Sequence, residues 1–465
     1  MTMLWTSSEI EAATGGCANL PFEVSGVTFD SREVEAGDLF VAMPGTAADG
    51  HQFVAGAYAA GAAAALVSHV EAGANWGPHV LVRDVAQALT DLAIAARARM
   101  AGTVIGVTGS VGKTSTKEAL YAAIERFARG TVHRSVKSYN NHTGVPLSLA
   151  RMPRDAEYAV LEMGMNHSGE IAALTRLVRP HVALITTIAP AHIEHLGTIE
   201  AIADAKAEIF KGLEHGGVAI LPEDTPHRDR LVKAARRFAD RIVTFGGGDA
   251  DVAAIHAVRA DNGGSLVTAR LVESELTFTI AQRGDHWVSN ALAVLAAVEA
   301  VGADLAVAGL ALADMGGLKG RGERHRLRAE GGTYVLIDES YNANPASMAA
   351  TLKALGEERD VARRIAVLGP MRELGVNGAE LHAALAPAVR DARINRLILV
   401  GDEMDPLADA LGSELPIERA ADAAAATALL KALVTPRDAV LVKASNSIGL
   451  ARLVEAMAGG EPCSI

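Results

Sequence analysis

The stretch Thr103–Ala119, TVIGVTGSVGKTSTKEA, constrains this chain more than any other. An apolar β-type run, Thr103–Val107, leads into a glycine-containing turn, then into Lys113, Thr114, Ser115 and a helix-compatible sequence. That order builds a phosphate cradle, because backbone N–H groups converge on an anion and a helix N-terminus adds its positive dipole. Lys113 is then placed to reach the outer phosphates, and the Thr114 hydroxyl to ligate Mg²⁺. The strict eight-residue P-loop pattern has glycine where this chain has Val107; the shorter form Gly109-x-x-Gly112-Lys113-Thr114 remains. The alternative is an ordinary strand–turn–helix connection, and the rest of the chain decides between the two.

At 465 residues the chain exceeds one ordinary core, and roughly two to four domains are expected. Half the residues are apolar and only 4% aromatic, so the cores are aliphatic. A formal net charge of −12 argues against a general nucleic-acid or membrane-surface binder. An anionic ligand must therefore be held by local features. Two cysteines, Cys17 and Cys463, cannot make a disulfide framework and fit a reducing compartment. The N-terminal MTMLWTSSEIEAA lacks the basic and apolar regions of a signal peptide. The most apolar segment, 291–318, is interrupted by Glu299, Asp304 and several glycines, so it reads as buried helix and not as a membrane span. A cytoplasmic protein is expected.

The pattern divides into three α/β segments, 1–100, 101–315 and 316–465. In the first, Val27–Phe29, Leu39–Met43, Leu66–Ser68 and Val80–Val82 read as strands, and 52–65 and 85–100 as helices. Its polar clusters Asp30-Ser31-Arg32 and Asp49-Gly50-His51 are either turn caps or a ligand site at strand ends. In the second segment, strands at Tyr158–Leu161, Val182–Ile188, Val218–Leu221 and Arg241–Phe245 follow the loop, and 246–285 reads as a β-rich edge. Glu162 and His192 sit at the ends of the first two. A carboxylate just after an apolar strand, beside a phosphate loop, is where a nucleotide-bound Mg²⁺ is held. On the helix 200–213, Ile202, Ala205, Lys206, Ile209, Phe210 and Leu213 form one apolar stripe. Lys206 thus falls on the buried face. An unpartnered buried lysine costs several kcal/mol, so it either snorkels outward or is held neutral, paired or covalently modified near the metal. The third segment opens on a Gly- and Arg-rich connector, Gly316–Arg324, and continues as a Rossmann-like unit with strands at Tyr334–Ile337, Ile365–Leu368, Arg396–Val400 and Ala439–Val442. No Gly-x-Gly-x-x-Gly appears there, so dinucleotide binding is unsupported.

In chain order, TGSVGKTS, LEMGMNHSGEI, APAHIEHLG…AKAEIFKGL, NALAVLAAV, GRGE, IDESYNANPASM and LGPMRELG resemble the Mur ligase family over essentially the whole length, together with DSR…GDLFVAMPG…DGHQF near the start. The resemblance implies an N-terminal UDP-substrate domain, a central mostly parallel ATPase sheet and a Rossmann-like C-terminal domain bringing the amine. It implies an ATP-dependent amide ligase of cell-wall precursor assembly, most similar to the branch whose substrates are UDP-N-acetylmuramoyl-tripeptide and D-alanyl-D-alanine. It also implies a monomer, and an acyl phosphate as the activated intermediate. Carried onto this sequence, Thr108, Gly109, Ser110, Val111, Gly112, Lys113 and Thr114 would cradle ATP. Thr114, Glu162, His192 and a carbamylated Lys206 would hold Mg²⁺, with Lys113, Lys206, His192 and Glu162 carrying the catalysis. A carbamate turns a cation into a carboxylate-like ligand, which suits a lysine on an apolar stripe. Asn290 would face the adenine, and Arg321, Asp338 and Glu339 would complete the nucleotide site. Ser31, Arg32, Asn141 and Thr143 would meet the UDP-sugar.

Two departures from the family pattern stand out. Glu339 takes a position that is often Asp, and Lys443-Ala444-Ser445-Asn446 replaces Lys-Gly-Ser-Arg. The missing Arg removes a bidentate grip on a carboxylate or phosphate from that loop. The other readings are a different ligase of the superfamily, of UDP-MurNAc-dipeptide, folylpolyglutamate or cyanophycin type, and a regulatory P-loop ATPase.

Overall fold

The computed structural model describes residues 2–45, 48–70, 76–191, 193–260 and 263–459. Three main sheets follow one another along the chain. The first has five strands in the order Cys17–Ala18, His79–Leu81, Ala64–Val67, Asp38–Val41 and Gly26–Thr28, all parallel except the short Cys17–Ala18 edge. Two elements there were not anticipated: a small ribbon, Trp5–Thr6 with Glu23–Val24, and the helix Ser7–Thr14, fixed by a Thr6–Glu9 capping box. The helix expected over 52–65 is only Val54–Ala60. Gly61, at φ +112°, closes it, and Ala64–Val67 enters the sheet, buried on both faces. An alanine run favours helix intrinsically, but a parallel strand between two neighbours is decided by burial.

The central sheet has nine strands. Their order is Val132–Arg134, Tyr158–Glu162, Thr103–Thr108, Val182–Ile185, Val218–Pro222, Arg241–Gly246, Val252–Arg259, Ser265–Arg270 and Glu275–Ile280. The first seven run parallel and the last two antiparallel, the latter being the expected β-rich edge. From Thr103–Thr108 the chain first winds to one side and then returns to the other. Open α/β sheets bind ligands at such a reversal, outside the carboxyl ends of the strands. Val107, where the strict P-loop has glycine, is fully buried and paired with Leu184 and Glu162.

The third sheet runs Glu323–Ala329, Gly332–Glu339, Asp438–Lys443, Arg363–Leu368, Arg396–Val400 and Ile417–Ala420, with only the first strand antiparallel. Glu323–Ala329 begins inside what the sequence suggested was connector, and its charged Glu-Arg-His-Arg start masks the strand pattern.

The first two sheets share a core. One apolar cluster runs from Leu4 through Met100 to Ala235, and the buried Arg97 donates to the carbonyls of Val178 and Arg179, each at 2.7 Å. The third sheet has separate cores on its two faces. No helix among the described residues is long and apolar enough to cross a membrane.

His133, on the edge strand, donates from Nε2 to the Ser148 carbonyl at 2.7 Å. Burial pushes its pKa from 6.5 down to about 4. The unfolded chain therefore binds a proton that the folded one refuses, so stability present above pH 6.5 is lost as the pH falls toward 4. The loss expected is at most about 3 kcal/mol. Calorimetric midpoints should fall across that window, and His133→Gln should flatten the fall.

Candidate active site

The loop after Thr103–Thr108 is shaped for an anion. Gly109 has φ +148° and Gly112 φ +85°, conformations that side chains rarely adopt. A Cβ at Gly109 would stand 1.9 Å from Thr186 Oγ1. Neighbouring groups fix the loop: Thr186 Oγ1 donates to the Val111 carbonyl at 2.5 Å, and Ser110 Oγ donates to the Ala189 carbonyl at 2.9 Å. The helix Lys113–Phe127 then starts from Gly112 with no side-chain cap, which leaves its first N–H groups facing the loop mouth. Lys113 Nζ donates to the Gly109 carbonyl at 2.8 Å, so its ammonium stands over the loop. Burial lowers the pKa of Lys113; Glu162 and Glu373 oppose that shift, while Arg321 adds to it.

Two of the metal-type residues, Thr114 and Glu162, line one cavity with Lys113. Glu162 is buried; Asn140 donates to its Oε1 at 2.7 Å, and its Oε2 has no hydrogen-bond partner. Ser138 Oγ lies 3.3 Å from Thr114 Oγ1. Lys206 is 0% exposed, its Nζ has no hydrogen-bond partner, and so the snorkelling alternative fails. Burial, and then the Lys113 charge, drive its pKa well below the usual lysine range. Two orphaned buried polar atoms, a carboxylate oxygen of Glu162 and the Lys206 amine, are what a bound cation and a modified lysine would satisfy. His192 lies outside the described residues; its neighbour Ala191 is buried.

A cavity of about 310 Å³ opens between the central and C-terminal sheets. Gly112–Ser115, Glu162 and Asn290 line one wall, and Arg321, Glu339, Tyr341 and Lys443 the other. Arg321 stacks its guanidinium over Tyr341, 4.4 Å from the ring centre. Glu339 sits 3.4 Å from Lys443 Nζ, which also donates to the Asn342 carbonyl at 2.9 Å. The longer acid at 339 thus meets the lysine of the altered C-terminal loop. Asp338 does not line the cavity. Its two oxygens accept from the Gly320 and Ser340 N–H groups at 2.8 and 3.0 Å, fixing the connector.

The residues expected at the UDP-sugar end lie on two segments whose neighbours touch, Phe29 with Tyr139 and Glu33 with Lys137. Arg32 is 86% exposed and paired with its neighbour Asp30, beside the half-buried Ser31. Asn141 accepts from the N–H and hydroxyl of Thr143 and from Gly144 N–H, capping the helix Gly144–Ala150. Glu33 pairs with Lys137, and Phe29 lies 5.5 Å from Tyr139, which ties the 29–33 and 137–139 segments together. The other polar cluster is a turn device. His51 Nε2 accepts from Ser68 N–H at 2.9 Å, which puts the proton on Nδ1 toward Asp49 and leaves neither ring nitrogen open. Lys117, Ser138 and Asn140 escaped the sequence reading, although Lys117 follows Lys113 by one helical turn.

Family profiles match the chain in three places. They are the Mur ligase family catalytic domain over 23–97, the Mur ligase middle domain over 107–298, and the Mur ligase glutamate ligase domain over 320–446. A Synechocystis UDP-N-acetylmuramoyl-tripeptide–D-alanyl-D-alanine ligase is 34% identical, with 95% of this chain and 94% of the relative covered. The ligase of that name from Bacillus subtilis is 34% identical over 96% of each, and the one from Escherichia coli 33% over 94% of each. Among solved structures, MurF from Acinetobacter baumannii superposes with a TM-score of 0.84 at 29% identity, covering 99% of both chains. MurF from Thermotoga maritima in complex with ADP gives 0.76 at 27%, covering 94% of this chain and 97% of that one.

Proposed function

This chain belongs to the Mur ligase family, and on that premise we propose that it joins D-alanyl-D-alanine to UDP-N-acetylmuramoyl-tripeptide at the expense of ATP, in peptidoglycan precursor synthesis. The observation that carries the mechanism is the cleft in which Lys113, Glu162 and Asn290 face Arg321 and Glu339 from another region of the chain. Amide formation between two ions in water is uphill, and a free carboxylate is a poor electrophile. Transfer of the γ-phosphoryl group to the tripeptide carboxylate makes an acyl phosphate; the amine attacks its carbonyl carbon, the C–O bond to phosphate breaks, and phosphate leaves. The chain's contribution is positioning and charge compensation. We assign the phosphates to Thr108–Thr114 with Lys113 on the outer oxygens, the adenine to Asn290, and the remaining nucleotide contacts to Arg321 and Glu339, with Asp338 acting through the connector. Thr114, Glu162, His192 and Lys206 as its carbamate are the proposed Mg²⁺ ligands; the ion would neutralise charge building on the phosphoryl oxygens. Ser31, Arg32, Asn141 and Thr143 are assigned to the UDP-sugar end, and the segments 1–100, 101–315 and 316–465 to UDP-substrate, ATP and amine. A monomer in the cytoplasm is the state this reading expects.

Phosphate release from ATP, followed with each acceptor–amine pair, tests the reading. Turnover should require both UDP-N-acetylmuramoyl-tripeptide and D-alanyl-D-alanine. Release at the full rate without either would turn the chain into a regulatory ATPase and sink the proposal.

The amine substrate fits a second cavity of about 370 Å³, where Ala191 meets Asn342–Asn344, Arg372–Leu374 and Ser445–Ser447. Arg372 is half-exposed and pairs with Glu403 at 2.7 Å, a partner that a dipeptide carboxylate can displace. It takes the role of the arginine missing at Asn446. Arg372→Ala is expected to raise KM for D-alanyl-D-alanine by roughly 10- to 100-fold, the worth of one charge-assisted hydrogen bond. Steady-state KM values for ATP and the UDP-substrate should stay put; a shared rise would reject the assignment.

A further inference from the structure

Lys117 is fully buried, one helical turn beyond Lys113, and nothing in the reaction above uses it. Its Nζ donates to the carbonyls of Ser135, at 3.2 Å, and of Lys137, and lies 3.0 Å from Glu118 Oε1. It also stands 3.9 Å from Glu162 Oε2, the oxygen that has no hydrogen-bond partner. The turn it holds has Lys137 at φ +48°, a left-handed conformation that a non-glycine residue keeps only when its surroundings enforce it. That turn delivers three things to the metal end of the cleft. Ser135 Oγ accepts from Glu162 N–H at 2.8 Å, Ser138 faces Thr114, and Asn140 holds Glu162 Oε1.

A fully desolvated ammonium costs several kcal/mol unless carbonyls and a counter-charge surround it, and here they do. The arrangement is costly for mere packing, since an aliphatic side chain would fill the same volume without a charge. We propose that Lys117 is a positioning residue for the metal site: it fastens the 135–140 turn to the phosphate-loop helix and orients Glu162 through its charge, 3.9 Å from Oε2, without taking up a hydrogen bond of that oxygen. The proposal rests on the reading of Glu162 as an Mg²⁺ ligand.

Calorimetric binding of ADP to the full-length chain, with and without Mg²⁺, separates this from a structural role. In the wild type Mg²⁺ should tighten ADP binding. In Lys117→Met that gain should shrink by roughly 10-fold or more, as when a partner that orients a metal ligand is lost, while metal-free ADP binding changes far less. Lys117→Gln, which keeps donors for the two carbonyls but not the charge, should show the same loss. An undiminished gain in either variant overturns the proposal, and so does an equal weakening with and without Mg²⁺, the mark of general damage. If neither variant folds, Lys117 serves the fold and the assignment falls. A wild type that gains nothing from Mg²⁺ overturns instead the metal reading on which it stands.

Discussion

Lys206→Ala is expected to lower the ligase rate by about 10²- to 10³-fold, the range seen when one preorganised electrostatic group is removed from a transition state. The Lys206 amine is 0% exposed and has no hydrogen-bond partner. Burial keeps that amine from holding a proton in the usual lysine range, and the Lys113 charge adds to the effect. On the proposed carbamate reading, the unprotonated amine would add to CO₂: the N–C bond would form, a proton would leave, and an anion would replace the amine. Truncation would remove that anion and leave a space behind it. Formate or acetate at high concentration should therefore restore some of the rate in Lys206→Ala and none in the wild type. Full activity in the alanine variant would end this account, and activity lost without any response to small carboxylates would confine Lys206 to packing.

Lys113→Ala should be at least as severe, with kcat/KM for ATP down by about 10³-fold or more, because phosphoryl transfer depends on charges already in place. Lys113 Nζ stands over the loop on the Gly109 carbonyl at 2.8 Å, so phosphate oxygens have only to take over a donor that is already aimed. Lys113→Arg should not rescue it. A planar, forked guanidinium does not reproduce the compact ammonium that Lys113 sets on the Gly109 carbonyl at 2.8 Å. Nucleotide binding measured beside turnover checks the point: ADP affinity should fall much less than the rate. An arginine variant with near-normal turnover would mean that any cation at this position suffices, and near-normal turnover in Lys113→Ala that the loop works by its backbone alone.

Much of this site was legible because its residues carry local signals. A strand, a glycine turn and Lys113-Thr114 are contiguous, and Lys206 betrays itself by its place on an apolar stripe. Glu162 stands out in the sequence because a carboxylate ends an apolar run. What the sequence hid was pairing over distance. Asn140 reaches Glu162 across 22 positions and Lys137 reaches Glu33 across 104, and neither contact leaves a local pattern. The adjacent acids Asp338 and Glu339 looked equivalent in sequence. Strand alternation separates them, since one faces backbone N–H groups and the other faces the cleft. The misread alanine helix has the same origin, because only the neighbouring strands make Ala64–Val67 extended.

The shared core of the first two sheets has a consequence for how this molecule can be taken apart. Apolar side chains from Leu4 to Ala235 pack as one cluster, whereas those beyond residue 320 keep to their own. A cut near residue 100 would therefore strip oil-like surface from both pieces, and neither fragment should survive in isolation. A cut in the 316–322 connector would instead separate a pair of self-contained bodies. The described residues form three main sheets but two mechanical pieces, and the cleft proposed for the nucleotide is the joint between them.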